Sequence, residues 1–125
     1  MLWSKNMKLV DANVILRYLL NDNHEMAQQA KAVIENGAYT KPEIIAEVVY
    51  VLKGVYHATR ADIRTFVLEM LKSVQCVESH AVAHAVNLYA DSSLDFVDCL
   101  LIAYHKLNKE DVFTFDKALS KRLNQ

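Results

Sequence analysis

The chain alternates short apolar runs, each about as long as a buried strand, with longer segments of helical length. The runs that predict strands are "MKLVDAN", where the strand stops at Asp11, then "AYT", "VQCVE" and "DVFTFD". Parallel strands need long crossover connections, which are usually helices, and the segments between these runs are long enough to supply them. The alternation therefore predicts an α/β fold in which helices cover a short parallel sheet of four strands on both faces.

Capping residues indicate where several of the helices begin. The predicted helices are "VILRYLLN", "HEMAQQAKAVIENG", "PEIIAEVVYVLKG", "TRADIRTFVLEMLKS", "HAVAHAVNLYADS", a helix from "SSLDFVD" to about residue 108, and "KALSKRLN". We place Asn13, Thr59 and Ser79 at N-caps, because their short polar side chains can accept a backbone hydrogen bond there. Ser92 and Asp95 have the S-x-x-D spacing of a capping box, which predicts that Asp95 lies in the first turn of its helix.

Length and composition limit the classes of protein to which the chain can belong. A chain of 125 residues fits one domain, here residues 1–125, in which residues 1–6 form an N-terminal extension before the first strand. The formal net charge of −1 provides no overall attraction for a polyanion, which a local patch or a metal would have to hold. Two cysteines without metal-site spacing fit a reduced, cytoplasmic location, and no apolar run is long enough to cross a membrane.

Two aspartates follow predicted strands, where ligands usually bind in open parallel sheets. Asp11 closes the first strand, and if Asn13 caps the next helix, Asp11 has no local structural task. Asp116 follows "VFTF", although capping of the last helix would explain it equally well. Thr114 is a polar residue inside the same aromatic-rich run. These positions make Asp11 the stronger candidate for function.

Two further acids lie among apolar residues on predicted helices. Glu47 is inside "IIAEVVYVL", where a carboxylate on the apolar stripe needs a partner unless it reaches solvent at the edge of the stripe. Asp98 is flanked at helical spacing by Leu94, Leu101 and Ile102, and we expect it one turn beyond the helix start. Helix initiation therefore explains Asp95 but does not explain Asp98.

Together these carboxylates indicate a cation site. Several unpaired carboxylates in one pocket repel one another, so some must bind protons or a cation must join them. Oxygen ligands without clustered cysteine or histidine favour Mg²⁺ or Mn²⁺ over zinc. A site of this kind suits the hydrolysis of phosphodiester bonds, because the metal activates water and stabilises the negative charge that develops.

Four segments of the chain resemble the PIN-domain ribonucleases, and most of all the small VapC-type toxins of prokaryotic toxin–antitoxin pairs. The segments are "LVDANVILRYLL", "PEIIAEVVYVL", "LDFVDCLLIAY" and "VFTFDKAL", in family order and at family-like spacing over about residues 7–120. The resemblance implies a three-layer α/β/α sandwich and an endoribonuclease that depends on Mg²⁺ or Mn²⁺. The acidic positions of the family correspond to Asp11, Glu47, Asp98 and Asp116.

The resemblance also implies a role for each acid. Asp11 and Asp98 would be the main metal ligands, directly or through water. Glu47 would bind metal or orient the attacking water, and Asp116 would support a second metal or a water bound to it. In-line attack would leave a 5′-phosphate and a 3′-hydroxyl.

Supporting residues and partners follow from the same resemblance. Asn13 and Thr114 match frequent polar helpers around the acids, whereas the position of Asp95 varies in the family and leaves a role at the rim of the cleft open. Family members usually form homodimers, and an antitoxin peptide often blocks the acidic cleft. The expected partners are therefore an RNA substrate, an antitoxin protein and a second copy of the chain.

Two other functions compete with the nuclease hypothesis. A phosphorelay receiver domain needs paired acids after its first strand, and Ala12 breaks that pair; "VQCVESH" also lacks the aspartate that a receiver needs. A catalytically silent PIN-like interaction module is the stronger alternative. The intact set of acids argues against it.

Overall fold

Short strands and longer helices alternate along residues 7–125, which are the residues that the computed structural model describes. The elements are β1 (Lys8–Leu9), α1 (Ala12–Leu20), α2 (His24–Glu35), β2 (Ala38–Thr40), α3 (Pro42–Gly54), α4 (Arg60–Met70), β3 (Gln75–Cys76), α5 (Ser79–Ala90), α6 (Phe96–Asn108) and α7 (Lys117–Leu123). The predicted N-terminal extension, residues 1–6, lies outside the described residues. No helix in the described part of the chain is both long enough and apolar enough to cross a membrane.

The three strands form one parallel sheet in the order β1-β2-β3. Lys8 lies opposite Ala38, and Thr40 lies opposite Cys76, so β2 is the central strand. The Thr40 side chain is fully buried, and its hydroxyl donates a hydrogen bond of 3.4 Å to the carbonyl of Val10. The prediction of an α/β fold with a short parallel sheet is confirmed.

The predicted fourth strand, "DVFTFD", is absent from the sheet of the described residues. Residues 111–116 are irregular, and the side chains of Phe113 and Phe115 are 82% and 92% exposed. The backbone N–H of Asp116 donates a hydrogen bond of 3.0 Å to Oγ1 of Thr114, which closes a local turn. Aromatic residues favour strands chiefly where a neighbouring strand and a half-buried surface are available. Val112 and Thr114 are half-buried, but no strand of the described residues pairs with this segment, so the strand prediction was wrong.

The boundaries of α3 and α4 agree with their sequence signals, whereas the start of α5 does not. Pro42 occupies the first turn of α3, and Oγ1 of Thr59 accepts a hydrogen bond from the N–H of Asp62. Ser79 was expected to cap α5, but it is the first helical residue, and the N-cap is Glu78. Glu78 has a left-handed backbone with φ of 57°, which turns the chain from β3 into the helix. That turn moves the cap one residue earlier than the composition indicates.

The core forms where the apolar faces of α1, α3, α4, α5 and α6 meet. The largest fully buried side chains include Ile15, Ile45, Ile63, Met70 and Ile102. Burying a side chain of this size stabilises the fold by about 1.5–3 kcal/mol. A smaller cluster, in which Leu119 and Leu123 pack with Ile102, attaches α7 to α6. The acid that precedes α7 is therefore held near the helix that carries Asp98.

One arginine organises the loop between α5 and α6. Nη1 of Arg60 donates hydrogen bonds to the carbonyls of Tyr89 and Leu94 at 2.9 and 2.8 Å, and Nη2 donates to the carbonyl of Ser93 at 3.2 Å. The guanidinium also lies 4.1 Å from the centre of the Tyr89 ring, which is a cation–π contact. A single side chain of α4 thus satisfies three carbonyls of the segment that leads into α6.

Candidate functional site

Asp11 begins α1. It has an extended backbone, with φ of −90° and ψ of 179°, and its Oδ1 accepts a hydrogen bond of 3.1 Å from the N–H of Val14. Asn13 was expected to cap this helix, but it is already inside α1 and cannot serve as the N-cap. The inference that Asp11 has no local structural task was therefore wrong. Capping uses one carboxylate oxygen, and within residues 7–125 no hydrogen bond engages the other.

Glu47 lies on α3, and its carboxylate is exposed. Together with Asp11 it lines an open groove between α1 and α3, and Asn13 borders the same groove. The expected need for a buried partner does not arise, because Glu47 reaches solvent and its helical neighbour Tyr50 is 60% exposed. The fold brings Asp11 and Glu47 together in one solvent-open groove.

The start of α6 differs from the predicted capping box. Asp95 is the N-cap itself, and its side chain makes no capping hydrogen bond. Oγ of Ser92 instead accepts a hydrogen bond of 3.3 Å from the N–H of Leu94, within the loop. Because the helix begins at Phe96, Asp98 lies in its first turn rather than one turn deeper. An acid at that position is favoured by the helix dipole, so part of the placement of Asp98 has a local cause.

Asp98 is half-buried beside two other acids. Burial raises the pKa of Asp98, and the negative charges of Asp95 and Asp116 raise it further. Three acids from the end of the α5–α6 loop, from α6 and from the N-cap of α7 thus share one local electrostatic environment. A cation in this region would relieve both the desolvation and the repulsion.

Both the side chain and the backbone N–H of Asp116 form hydrogen bonds. Its Oδ1 accepts a hydrogen bond of 2.9 Å from the N–H of Leu119, which caps α7, and its own N–H donates to Thr114. Thr114 therefore contacts the backbone of the acid, although it is not in a strand. The capping explanation that the sequence allowed for Asp116 is correct, and within residues 7–125 no hydrogen bond engages its second carboxylate oxygen.

The predicted acids therefore lie in two groups, one formed by Asp11 and Glu47 and the other by Asp98, Asp116 and Asp95. Within the described residues, no three aspartate, glutamate, histidine or cysteine side chains are close enough to hold a metal ion as a group. The donors still fit Mg²⁺ or Mn²⁺ in kind, because Mg²⁺ is commonly bound by one or two carboxylates and keeps several waters. Each group supplies oxygen ligands of that type.

A hydrogen-bonded triad borders the Asp11–Glu47 groove. Nη1 of Arg17 lies 2.7 Å from Oδ1 of Asp22, Nη2 of Arg17 donates to the Tyr56 hydroxyl at 2.8 Å, and that hydroxyl donates to Oδ2 of Asp22 at 3.1 Å. The hydrogen bond with Tyr56 and the charge of Asp22 raise the pKa of Arg17. No spacing in the sequence links positions 17, 22 and 56, so this triad could not be predicted before the helices were packed.

Comparison with known proteins gives one match. The family model described as "PIN domain" matches residues 8–122, which is most of the chain. Neither the curated proteins nor the solved structures gave a significant match. The matched range includes every acid discussed above, from Asp11 to Asp116.

Proposed function

The chain belongs to the PIN-domain family, and from that premise we propose that it is an endoribonuclease that depends on Mg²⁺ or Mn²⁺. PIN domains are generally metal-dependent nucleases, which hydrolyse phosphodiester bonds. RNA as the substrate and the identity of the metal are the more specific parts of this proposal. Both are supported by the resemblance of the four acidic segments to ribonucleases of the family.

The observation that carries the proposal is the shared groove of Asp11 and Glu47. The two acids are 36 positions apart in sequence and belong to different helices, yet they line one open groove. Asp11 keeps one carboxylate oxygen out of its capping bond, so it can bind a cation without uncapping α1. A groove with two acids and open access can admit a phosphodiester together with its counterion.

Each acid has a different role in the proposed hydrolysis. We assign Asp11 to holding a metal in the first group, where Glu47 orients the attacking water, and Asp98 to holding a metal in the second group, which Asp116 supports. When bound, the metal supplies charge stabilisation and makes water a better nucleophile. The attack is in line with the leaving oxygen, and the products are a 5′-phosphate and a 3′-hydroxyl.

Three polar residues support the acids in this proposal. Asn13 borders the groove beside Asp11, and the Thr114 hydroxyl accepts the backbone N–H of Asp116. Asp95 adds negative charge next to Asp98 and so strengthens the attraction for a cation. None of these three needs to contact the reacting phosphate.

The proposal extends to a biological role as the toxin of a toxin–antitoxin pair. The resemblance to VapC-type toxins supports this role, with an antitoxin that covers the acidic cleft, a homodimer and a cytoplasmic location. The exposed side chains of Val55 and Tyr56 line the groove and offer a surface for a protein partner. Co-purification with the product of a neighbouring gene would test the antitoxin part separately from the chemistry.

Hydrolysis of labelled RNA tests the enzymatic part directly. Purified protein should cleave RNA with Mg²⁺ or Mn²⁺, should be inactive with EDTA, and should leave 5′-phosphate ends. Asp98→Asn should abolish cleavage, and Asp95→Asn should have a mild effect. If no divalent metal supports cleavage of any RNA, the catalytically silent PIN-like module becomes the better account. If Asp95→Asn is inactive and Asp98→Asn is active, the assignment of the two acids is wrong.

A further inference from the structure

Phe113 and Phe115 are the most exposed large apolar side chains in the described part of the chain, at 82% and 92%. Their rings contact each other edge to face, with centroids 5.1 Å apart and an angle of 81° between the planes. A side chain of this size that stays in water gives up the favourable free energy of burial. Adjacent exposed aromatic residues commonly mark a binding surface.

The two rings border an open groove whose other lining residues are polar or charged, with two lysines and one aspartate among them. The groove is shallow and open to solvent, and it is also lined by Thr114, Asp116, Lys117, Ser120, Lys121 and Asn124. Lys117 and Lys121 are one helical turn apart on α7 and are exposed, and neither forms an ion pair with any residue from 7 to 125. Two aromatic faces and two unpaired cations therefore border the same open space.

This combination matches the chemistry of unpaired nucleotides. Bases stack on aromatic side chains whatever their identity, and lysines attract the phosphates between them. In a duplex the faces of the bases are already stacked on one another, so an aromatic surface can bind only unpaired bases. An apolar peptide would also cover the rings, but it would make no use of the lysines.

We propose that Phe113 and Phe115 form a stacking platform for unpaired bases of single-stranded RNA, with Lys117 and Lys121 contacting the adjoining phosphates. The inference rests on the proposed ribonuclease function and adds to it a binding site for unpaired bases that lies apart from the Asp11–Glu47 groove. Asp116 lines the same groove, and its charge reaches Asp98, so a base on the platform holds the neighbouring backbone beside the second acidic group.

Binding of RNA in EDTA tests the platform without interference from hydrolysis. The probe is a labelled, unstructured RNA 12-mer, and fluorescence anisotropy gives its affinity for the full chain. Phe113→Ala/Phe115→Ala should weaken binding at least about tenfold, because the bases lose the aromatic rings on which they stack. Phe113→Trp/Phe115→Trp should keep the affinity of the wild type, because both positions retain an aromatic ring. Leu107→Ala, which removes an exposed apolar side chain from α6 outside the groove, is the matched control and should have no effect.

Two altered probes separate stacking from simple charge attraction. The wild-type chain should bind the same 12-mer more weakly when it contains abasic positions. Phe113→Ala/Phe115→Ala should bind this abasic RNA as well as the wild type does. A duplex of the same length should show no dependence on the phenylalanines. Lys117→Gln/Lys121→Gln should reduce the salt dependence of binding to all of these probes. Equal losses for abasic and normal RNA would overturn the stacking proposal.

The remaining outcomes are also decisive. If the phenylalanine variant binds RNA normally but changes self-association in sedimentation, the pair is a protein contact and the proposal is wrong. If base-dependent binding is lost in that variant while no metal supports cleavage by the wild type, the platform stands and the nuclease function fails. Circular dichroism of each variant verifies that the fold is unchanged.

Discussion

The backbone N–H of Val14 donates a hydrogen bond of 3.1 Å to Oδ1 of Asp11, so the first acid of the proposed active site is also the residue that starts α1. Asp116 has the same relationship with Leu119 at the start of α7, at 2.9 Å. In both cases one side chain has a structural and a proposed chemical role. Substitutions that remove only one of these roles are therefore the most informative.

Two substitutions of Asp11 should separate capping from catalysis. Asn keeps an oxygen that can accept the Val14 N–H, so Asp11→Asn should change the free energy of unfolding little. Asp11→Ala should lower it by about 0.5–2 kcal/mol, because it removes the cap. Both variants should lose cleavage. Urea denaturation and RNA hydrolysis measure the two effects, and an equal loss of stability in both variants would argue against the capping role.

Asp98→Asn should make the protein more stable at neutral pH. Burial and the neighbouring acids raise the pKa of Asp98, so the folded chain holds this proton more tightly than the unfolded chain does. Stability is therefore lost as the pH rises through the raised pKa, and the whole cost is present above it. The variant should gain stability at pH 7 and should gain little at a pH low enough to protonate the carboxyl in both states.

Thermal unfolding of Asp98→Asn and of the wild type at each of these two pH values measures the gain in stability. Asp111→Asn, which neutralises an exposed acid, is the control. A variant that loses activity and also loses stability at pH 7 would contradict the strained environment inferred for Asp98. We therefore expect Asp98→Asn to abolish cleavage and to raise the free energy of unfolding at pH 7.

Divalent metal should stabilise the folded chain. Mg²⁺ or Mn²⁺ that binds only the folded state at one hundred times its Kd would add about 2.7 kcal/mol to the free energy of unfolding. The gain should be reduced in Asp11→Asn and Asp98→Asn and retained in Asp111→Asn. Unfolding with added MgCl₂ or MnCl₂, compared with NaCl at equal ionic strength, measures it. An unchanged Tm in the wild type would count against metal binding.

The two cysteines should resist alkylation in the folded protein. Burial raises the pKa of Cys76 to about 12 and that of Cys99 to about 11, so little thiolate is present near neutral pH. Both side chains are also buried from reagents. Iodoacetamide at pH 8 should modify neither thiol within the time in which it modifies both in urea, as mass spectrometry would show. Rapid labelling of either thiol in buffer would be inconsistent with this burial.

Replacement of Arg60 should loosen the loop before α6. Arg60→Ala should lower the free energy of unfolding by about 1–3 kcal/mol, because the carbonyls of Tyr89, Ser93 and Leu94 lose a charged donor. Arg60→Lys should recover only part of this loss, because one ammonium cannot reproduce the planar fork of the guanidinium. Arg64→Ala, on the same helix, is the control, since its contact with Asp91 is longer, at 3.6 Å, and more exposed. Equal effects of the Arg60 and Arg64 substitutions would refute this role of Arg60.

The sequence predicted elements well where local chemistry decides the boundary. Pro42 and Gly54 mark the two ends of α3, and Thr59 caps α4, because each acts on residues one turn away. It predicted poorly where two neighbouring residues have the same chemistry. Asp11 and Asn13 can both cap a helix, and the choice between them depends on the residue at which β1 ends.

Long-range features were the other source of error. Residues 111–116 have the composition of a strand, but strand formation requires a partner that composition does not reveal. The resemblance to a known family predicted one site for four acids, whereas the structure places Asp11 with Glu47 and Asp98 with Asp116. The triad of Arg17 with its two partners depends on how α1 packs beside the end of α3, which no spacing encodes.

The hydrogen bonds of Arg60 also have a consequence for the dynamics of the chain. The loop that precedes Asp95 and Asp98 contains no strand or helix of its own, and its carbonyls are held by a residue of α4. Any fluctuation that detaches the first turn of α4 therefore releases the loop at the same moment. Helix α4 and the start of α6 should open as one cooperative unit, with matching rates of amide hydrogen exchange, although 35 positions separate Arg60 from Asp95.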